Sequence, residues 1–344
     1  MRKYITTFLL VCLVLFVTCS RKDKEQKEMP GNNIKNRKYI GKLIKKNEFE
    51  FNQGKPVCLF PDGPDFWIAD GKNQTVFKVD KEGHIKAKYG RMGGAPAENQ
   101  RIKDIYLKGD SLGIIDNAKD VIKYMSLLGK DSVIFYQKFY DHIDRGKFLN
   151  DSLIAISNSE NDDLLINITN YTGQRLHVTS LKEITHYNDE SIDLVYEGEF
   201  TRMNQNGYFI YFTYRQSFFV CFDSTGKVQY TSHTIDLFPP PKPAFEKYGN
   251  FTMHTVDPDI MVNLKADIGG KYFYVLSNVI AKQNKSIRAI DVYHINKGQY
   301  AYTIEVPVLA DGQTPIDFAV YNNGESIVFV YDNFKIIEYS FDDK

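Results

Sequence analysis

The sequence predicts an all-β fold, a six-bladed β-propeller of four-stranded antiparallel blades. Three observations predict it. The first is a unit at 66–90, FWIADGKNQTVFKVDKEGHIKAKYG, which reads as three short strands joined by two turns and returns in variants down to the C-terminus. The second is the turn between its last two strands, where a polar residue closes an apolar strand and a glycine follows closely. Glycine can take the left-handed conformation that such hairpins need. The pair recurs as Asp80…Gly83, Ser126…Gly129, Asn170…Gly173, Asp223…Gly226 and Asn296…Gly298, behind the runs TVFKV, VIKYM, LLINIT, SFFVCF and DVYHI. The third is a load of 23 Tyr and 24 Phe on short apolar runs, a composition that favours strands, with no convincing amphipathic helix.

The N-terminus carries an address. Arg2 and Lys3 precede a mostly apolar run from Ile5 to Val17, and the charged stretch SRKDKEQKE follows Cys19. A basic start with an apolar run of this length reads as a secretory signal at 1–18 and not as a spanning helix. Phe16-Val17-Thr18-Cys19 resembles the lipobox of bacterial lipoproteins, which makes Cys19 the acylated first residue of the mature chain. Residues 19–37, polar and without period, read as a flexible tether. Residues 38–344 form the body. Cys12 leaves with the signal. Cys58 and Cys221 then remain, each inside an apolar run, and are expected as two buried free thiols, with a disulfide between them as the alternative open to an exported protein. There is no CxxC pair and so no zinc signal.

Within the body, the turn glycines recur at roughly forty to seventy residues, irregular but centred near the length of a propeller blade. A four-stranded sheet of this size hides both faces only by packing against neighbours in a ring. The last unit, a strand pair at 325–331 and 335–341, is short of a strand, and the weakly alternating stretch 38–50 is expected to supply it. That closure would remove the open sheet edge that invites aggregation. The stretches 181–206 and 232–267 show no clear strand pattern, so five or seven blades stand as alternatives, with a pair of β-sandwiches as the architectural rival. Asp70 ends its strand as Asp116, Asn158 and Asp332 end theirs, which makes it a turn residue, and Trp67 is expected to pack between sheets.

The lipobox-like Cys19, the polar tether and six such units resemble the TolB-like, NHL-like six-bladed propeller lipoproteins of Bacteroidetes. The connection Gly90-Arg-Met-Gly-Gly-Ala-Pro-Ala-Glu-Asn99 is similar to that family's interblade loop, Gly-x-Gly-Pro-x-Glu-Phe. Here Ala95 interrupts the Gly-Pro step, and Asn99 stands where an aromatic residue is usual. The resemblance implies a lipid-anchored protein of the cell envelope, at the outer membrane and facing the periplasm or the exterior, whose ligand is undefined.

Lys and Arg number 43 and Asp and Glu 43, so no global charge points to nucleic acid. The candidate partner-binding residues lie in two connections: Arg91 and Met92 in the glycine-rich loop, and Phe238, Pro240, Phe245 and Tyr248 in and behind FPPPKPAF. Prolines at this density hold an extended loop that cannot join a sheet. The seven His are dispersed, and Asp257-Pro-Asp259 and Asn161–Asp163 lack the glycine-centred loop and bidentate Glu of a calcium site. No metal and no cofactor is expected. The reading is a monomeric, membrane-anchored binding or scaffolding module that takes a protein or glycan at one propeller face. The alternative is a propeller enzyme, a lyase, lactonase or glycan hydrolase, with an acid/base or divalent-cation site at the channel mouth. Three or more convergent carboxylate, His or Asn side chains with room for a cation would favour that alternative. Asp110-Ser, Asp131-Ser, Asp151-Ser and Asp223-Ser, each followed by an apolar residue or Thr, match the short O-glycosylation sequon of exported Bacteroidetes proteins. Intact-mass analysis of the native lipoprotein should show hexose-sized increments, and the lipidated mass alone would rule the modification out.

Overall fold

The computed structural model describes residues 36–129, 132–139, 141–187, 191–249, 251–278 and 287–341. The signal sequence, Cys19 and the tether up to residue 35 lie outside the described residues. Those described form six four-stranded antiparallel sheets and one two-stranded hairpin. The chain enters through β1 (Leu43–Glu50) and then builds blade one from β2 (Pro56–Asp62), β3 (Asp65–Asp70), β4 (Thr75–Asp80) and β5 (Ile85–Tyr89). Blade two is β6 (Ile102–Lys108), β7 (Ser111–Asp116), β8 (Val121–Ser126) and β9 (Val133–Lys138). Blade three is β10 (Arg145–Phe148), β11 (Leu153–Glu160), β12 (Asp163–Asn170) and β13 (Arg175–Ser180).

Two short helices follow, α1 (Leu181–Thr185) and α2 (Ile192–Val195). Blade four is β14 (Gly198–Phe200), β15 (Phe209–Thr213), β16 (Phe218–Phe222) and β17 (Val228–His233). The hairpin β18 (Ala244–Tyr248) and β19 (Phe251–Thr255) interrupts the path to blade five. That blade is β20 (Asn263–Gly269), β21 (Tyr272–Ser277), β22 (Ile287–His294) and β23 (Gln299–Pro307). Blade six is β24 (Pro315–Tyr321), β25 (Ser326–Tyr331) and β26 (Lys335–Phe341), with β1 as its outer strand. The two stretches without clear pattern therefore hold the helices with β14, and the hairpin. The blade count is six.

The recurring turn has a local cause. The side chain of the strand-end residue folds over the turn and accepts its backbone amides. Asp80 accepts Glu82 N and His84 N, Ser126 accepts Leu128 N and Gly129 N, Asn170 accepts Thr172 N and Gln174 N, and Asp223 accepts Thr225 N and Lys227 N. These side chains mimic a backbone turn and tolerate its tight geometry. Gly226, at φ +87°, also sits so close to blade three that a Cβ there would meet Ile168 and His177 at 2.8 and 2.9 Å. In the fifth blade the turn is instead held by the His294 carbonyl, which accepts Lys297 N and Gly298 N.

The core is divided among the seams between blades. Trp67, Cys58 and Ala69 of blade one pack with Ile105, Leu112 and Ile114 of blade two. Phe209, Phe218 and Phe222 meet Leu164, Ile166 and Ile168 across the next-but-one seam, where Leu181, Ile192 and Val195 of the helices fill the gap. Phe49, Phe66 and Phe77 meet Val328, Val330 and Ile336 where blade six meets blade one. Each seam has its own apolar cluster. Cys58 and Cys221 are free, buried, and belong to different seams.

The ring closes through the N-terminal segment. β1 pairs antiparallel with β26 from Leu43↔Phe341 to Glu50↔Lys335. Just upstream the chain crosses to blade five, where Thr303 N donates to Lys38 O at 2.8 Å and Ile40 N to Thr303 O at 3.1 Å. Arg37, placed by the sequence in the tether, belongs to the folded body. Its guanidinium is fully buried between Asp236 and Asp291, each at 2.7 Å, and Asp291 also accepts from Thr303 Oγ1 at 2.6 Å. Burial pushes the Asp236 carboxyl up, and the Arg37 charge opposes that push. Removing one member of a buried ion cluster strands the others without water or partner. Arg37→Ala should therefore cost about 3–5 kcal/mol of stability by urea unfolding. The combined change of Arg37→Met, Asp236→Leu and Asp291→Leu should restore most of it, and a triple variant as weak as the single one would contradict this reading.

Candidate functional site

The inner strands β2, β6, β10, β14, β20 and β24 line the axis, and consecutive ones touch around the circle, with β15 reaching β20 between blades four and five. Each inner strand sends one side chain to the same level: Cys58, Asp104, Lys147, Glu199, Lys265 and Asp317. A bulge precedes this position in four blades, at the step before Cys58, Asp104, Lys265 and Asp317. Bulges of this kind re-aim a side chain, and here they turn it inward.

Read around the ring, the six are a neutral thiol followed by negative, positive, negative, positive and negative groups. Cys58 Sγ donates to Asp104 Oδ1 at 3.4 Å, and Lys147 Nζ bonds the same oxygen at 2.8 Å. The other Asp104 oxygen accepts Phe148 N at 2.9 Å. Lys265 Nζ reaches both Glu199 oxygens at 3.0 Å and lies 3.8 Å from Asp317 Oδ1. Tyr214 OH adds a bond to Glu199 Oε2 at 3.1 Å. Charges taken from water must be paired to be tolerated, and alternation pairs them. Burial and the neighbouring Asp104 charge raise the Cys58 thiol to about 12, so it stays neutral. Burial raises the Asp317 carboxyl as well, against the pull of Lys265. Burial also works against the Glu199 carboxylate, but Lys265 and Lys147 outweigh it and hold its pKa at about 2.

The free volume beside Cys58, Lys265 and Asp317 is only about 10 Å³, about the space of a single water. Above it the channel opens into a mouth of about 380 Å³ lined by Gln100, Arg101, Lys103, Arg145, Glu199 and Lys265, among others. Three carboxylates do converge on the axis, but lysines and hydrogen bonds engage them. Among the described residues, the carboxylate and His group with metal-ligand spacing is Asp80, Glu82 and His84, in the exposed turn after β4.

The candidate partner residues stand in connections between an outer strand and the next inner strand, on the same face as the mouth. They are not equivalent. Arg91 Nε is engaged by Glu98 Oε1 at 3.0 Å, while Met92 is exposed. The loop's carbonyls, from Ala95, Pro96 and Glu98, are taken by Lys119 and the buried Lys123. Asn99, the departure from the family loop, is buried and donates to Gln74 O at 2.7 Å. The loop is thus a packed connection that turns its carbonyls toward lysines. Phe238 is buried, with its amide on Ser217 Oγ at 2.8 Å, so it is a packing residue and not a contact residue. Pro240 is exposed, and Phe245 and Tyr248 on the hairpin are 57% and 58% exposed. Asp257 accepts Asp259 N of its own turn, and Asp163 accepts Leu164 N, Lys182 N and the Ser180 hydroxyl at the start of α1. The sequence reading missed the axial ring altogether. Its signal was present as one charged residue or thiol at matching register in each inner strand.

No family model matches the chain, and no curated protein does. Solved structures do. A Bacteroides fragilis protein described as exported superposes with a TM-score of 0.53 at 11% identity, covering 87% of this chain and 94% of that one. The Kuenenia stuttgartiensis hydrazine synthase superposes with a TM-score of 0.50 at 11% identity, covering 83% of this chain and 76% of that one. At such identity the likeness is one of fold, and the fold it supports is the β-propeller.

The Glu199 pairing sets a pH dependence. A carboxyl held below its usual range contributes stability above its unfolded pKa and loses it as pH falls toward the folded value of about 2. That contribution is about 3 kcal/mol. The urea stability gap between wild type and Glu199→Gln should therefore narrow from pH 7 to pH 2.5, and a gap that stays constant would show that the ion pair contributes nothing.

Proposed function

We propose that the protein is a lipid-anchored, extracytoplasmic binding or scaffolding module whose ligand meets the propeller face carrying the channel mouth. The observation that supports it most is the state of the axis. A propeller with a channel acid/base or cation site needs carboxylates that are free to take a proton or a metal. Here Asp104 and Glu199 are bound by lysines, and Asp317 lies beside Lys265. The mouth above the ring is open and polar. The connections on that face also expose Met92, Phe245 and Tyr248, the kind of side chains that anchor partners.

Anchoring rests on the sequence around Cys19 and on the resemblance to the TolB-like, NHL-like lipoproteins of Bacteroidetes. The protein of the same fold described as exported is compatible with it. On this reading the body is monomeric and stands at the outer membrane, facing the periplasm or the exterior, with a protein or glycan as ligand.

Two measurements check the proposal together. Cys19→Ala should move the protein from the membrane fraction to the soluble envelope fraction. The native protein crosslinked in intact cells should capture a partner that is lost or reduced in a Phe245→Ser, Tyr248→Ser variant. Membrane retention of Cys19→Ala would refute the anchor, and capture of nothing by the wild type would refute the binding role.

A further inference from the structure

The groups around the mouth do not balance. Arg145 is paired with Glu197, which Arg215 shares at 3.4 Å, and Lys265 is paired with Glu199. Lys103 and Arg101 remain. Neither side chain makes a hydrogen bond or an ion pair among the described residues, although the Arg101 backbone amide donates to Asp116 Oδ1 at 2.9 Å, and Lys103 is only partly exposed. Lys103 owes its position to the bulge between Ile102 and Asp104, which inserts it as an extra residue at the rim of the channel. Close by, Arg145 Nε and Arg215 Nε are buried with no hydrogen-bond partner among the described residues. Partly buried cations and donors without partners are costly in a folded protein. Burial and the adjacent Arg145 charge both pull the Lys103 ammonium pKa down, so Lys103 keeps its charge at a cost that a counter-ion would remove. The cavity between these groups is about 380 Å³, the size of a small-molecule site.

We infer that the channel mouth is a binding site for an oxyanion carried on a small polar molecule, held between Lys103 and Arg145 with Arg101 and the Gln100 amide at the rim. A planar guanidinium beside an ammonium suits a carboxylate or a phosphate. The carboxylates on the far side of Arg145, Asp144 and Asp193, and the Glu199 floor would repel a ligand with charge spread over its whole surface. The site is therefore matched to a single anionic group on a neutral polar frame. This inference rests on the binding role proposed above and names the chemistry of its ligand. It fails independently: partner capture could persist with no anion bound here.

The test is titration calorimetry on the full-length lipoprotein in detergent with three probes, glucuronate, inorganic phosphate and neutral glucose. Glucuronate or phosphate should bind and glucose should not. The stronger of the two anions tells whether the group is a carboxylate or a phosphate. Lys103→Gln should weaken binding about tenfold or more, the scale of one charge-assisted hydrogen bond, and Lys103→Arg should retain it. A second readout uses the wild type alone: the bound anion should protect Lys103 from acylation by an N-hydroxysuccinimide ester, read by peptide mass spectrometry. Equal binding of glucose, no binding of either anion, wild-type affinity in a folded Lys103→Gln, or unprotected Lys103 under saturating anion would each overturn the inference.

Discussion

The strand Leu43–Glu50 pairs with Lys335–Phe341, and that pairing closes the ring. Remove it and blade six exposes a strand edge, while the cluster of Phe49, Phe66, Val328 and Ile336 loses its lid. The chain reinforces the closure from the next blade by laying residues 37–40 along β23 and burying the Arg37 guanidinium between two carboxylates. A buried ion triad is a poor source of net stability but a strict judge of position. Here the position it fixes is that of residues 37–40 against blade five.

Closing the ring also fixes the axis. Six inner strands held at one distance bring one residue from each blade to a common level, and the choice of residue decides what the channel can do. Apolar side chains would have sealed it. Six carboxylates would have demanded cations. The alternating set seals the channel with charge instead, because each lysine meets a carboxylate on at least one side and the odd position is filled by a neutral thiol. The chemistry left over is displaced upward, to Lys103 and Arg101 at the mouth.

The repeat, the blade count and the closure were legible in the sequence because each rests on local rules. Asp80, Ser126, Asn170 and Asp223 announce their turns by capping backbone amides within a few residues, and a unit short of one strand implies a donor elsewhere. Trp67 as a seam residue followed from its place on a strand. Arg37 did not, because an arginine in a polar run looks solvated until two distant carboxylates are seen around it. Phe238 misled in the opposite sense: its prolines and aromatics suggested an adhesive loop, but its ring packs inward, while Pro240, Phe245 and Tyr248 stay outside. The axial ring was hidden because its members meet only in three dimensions, and short charged inner strands such as Arg145–Phe148 and Gly198–Phe200 look like loops.

The most direct test is anomalous scattering from crystals soaked in manganese chloride. A charge-compensated axis predicts no manganese among Asp104, Glu199 and Asp317, with Lys147 and Lys265 still seated between them. A manganese ion bound there with Lys265 displaced would contradict this and return the channel to metal chemistry.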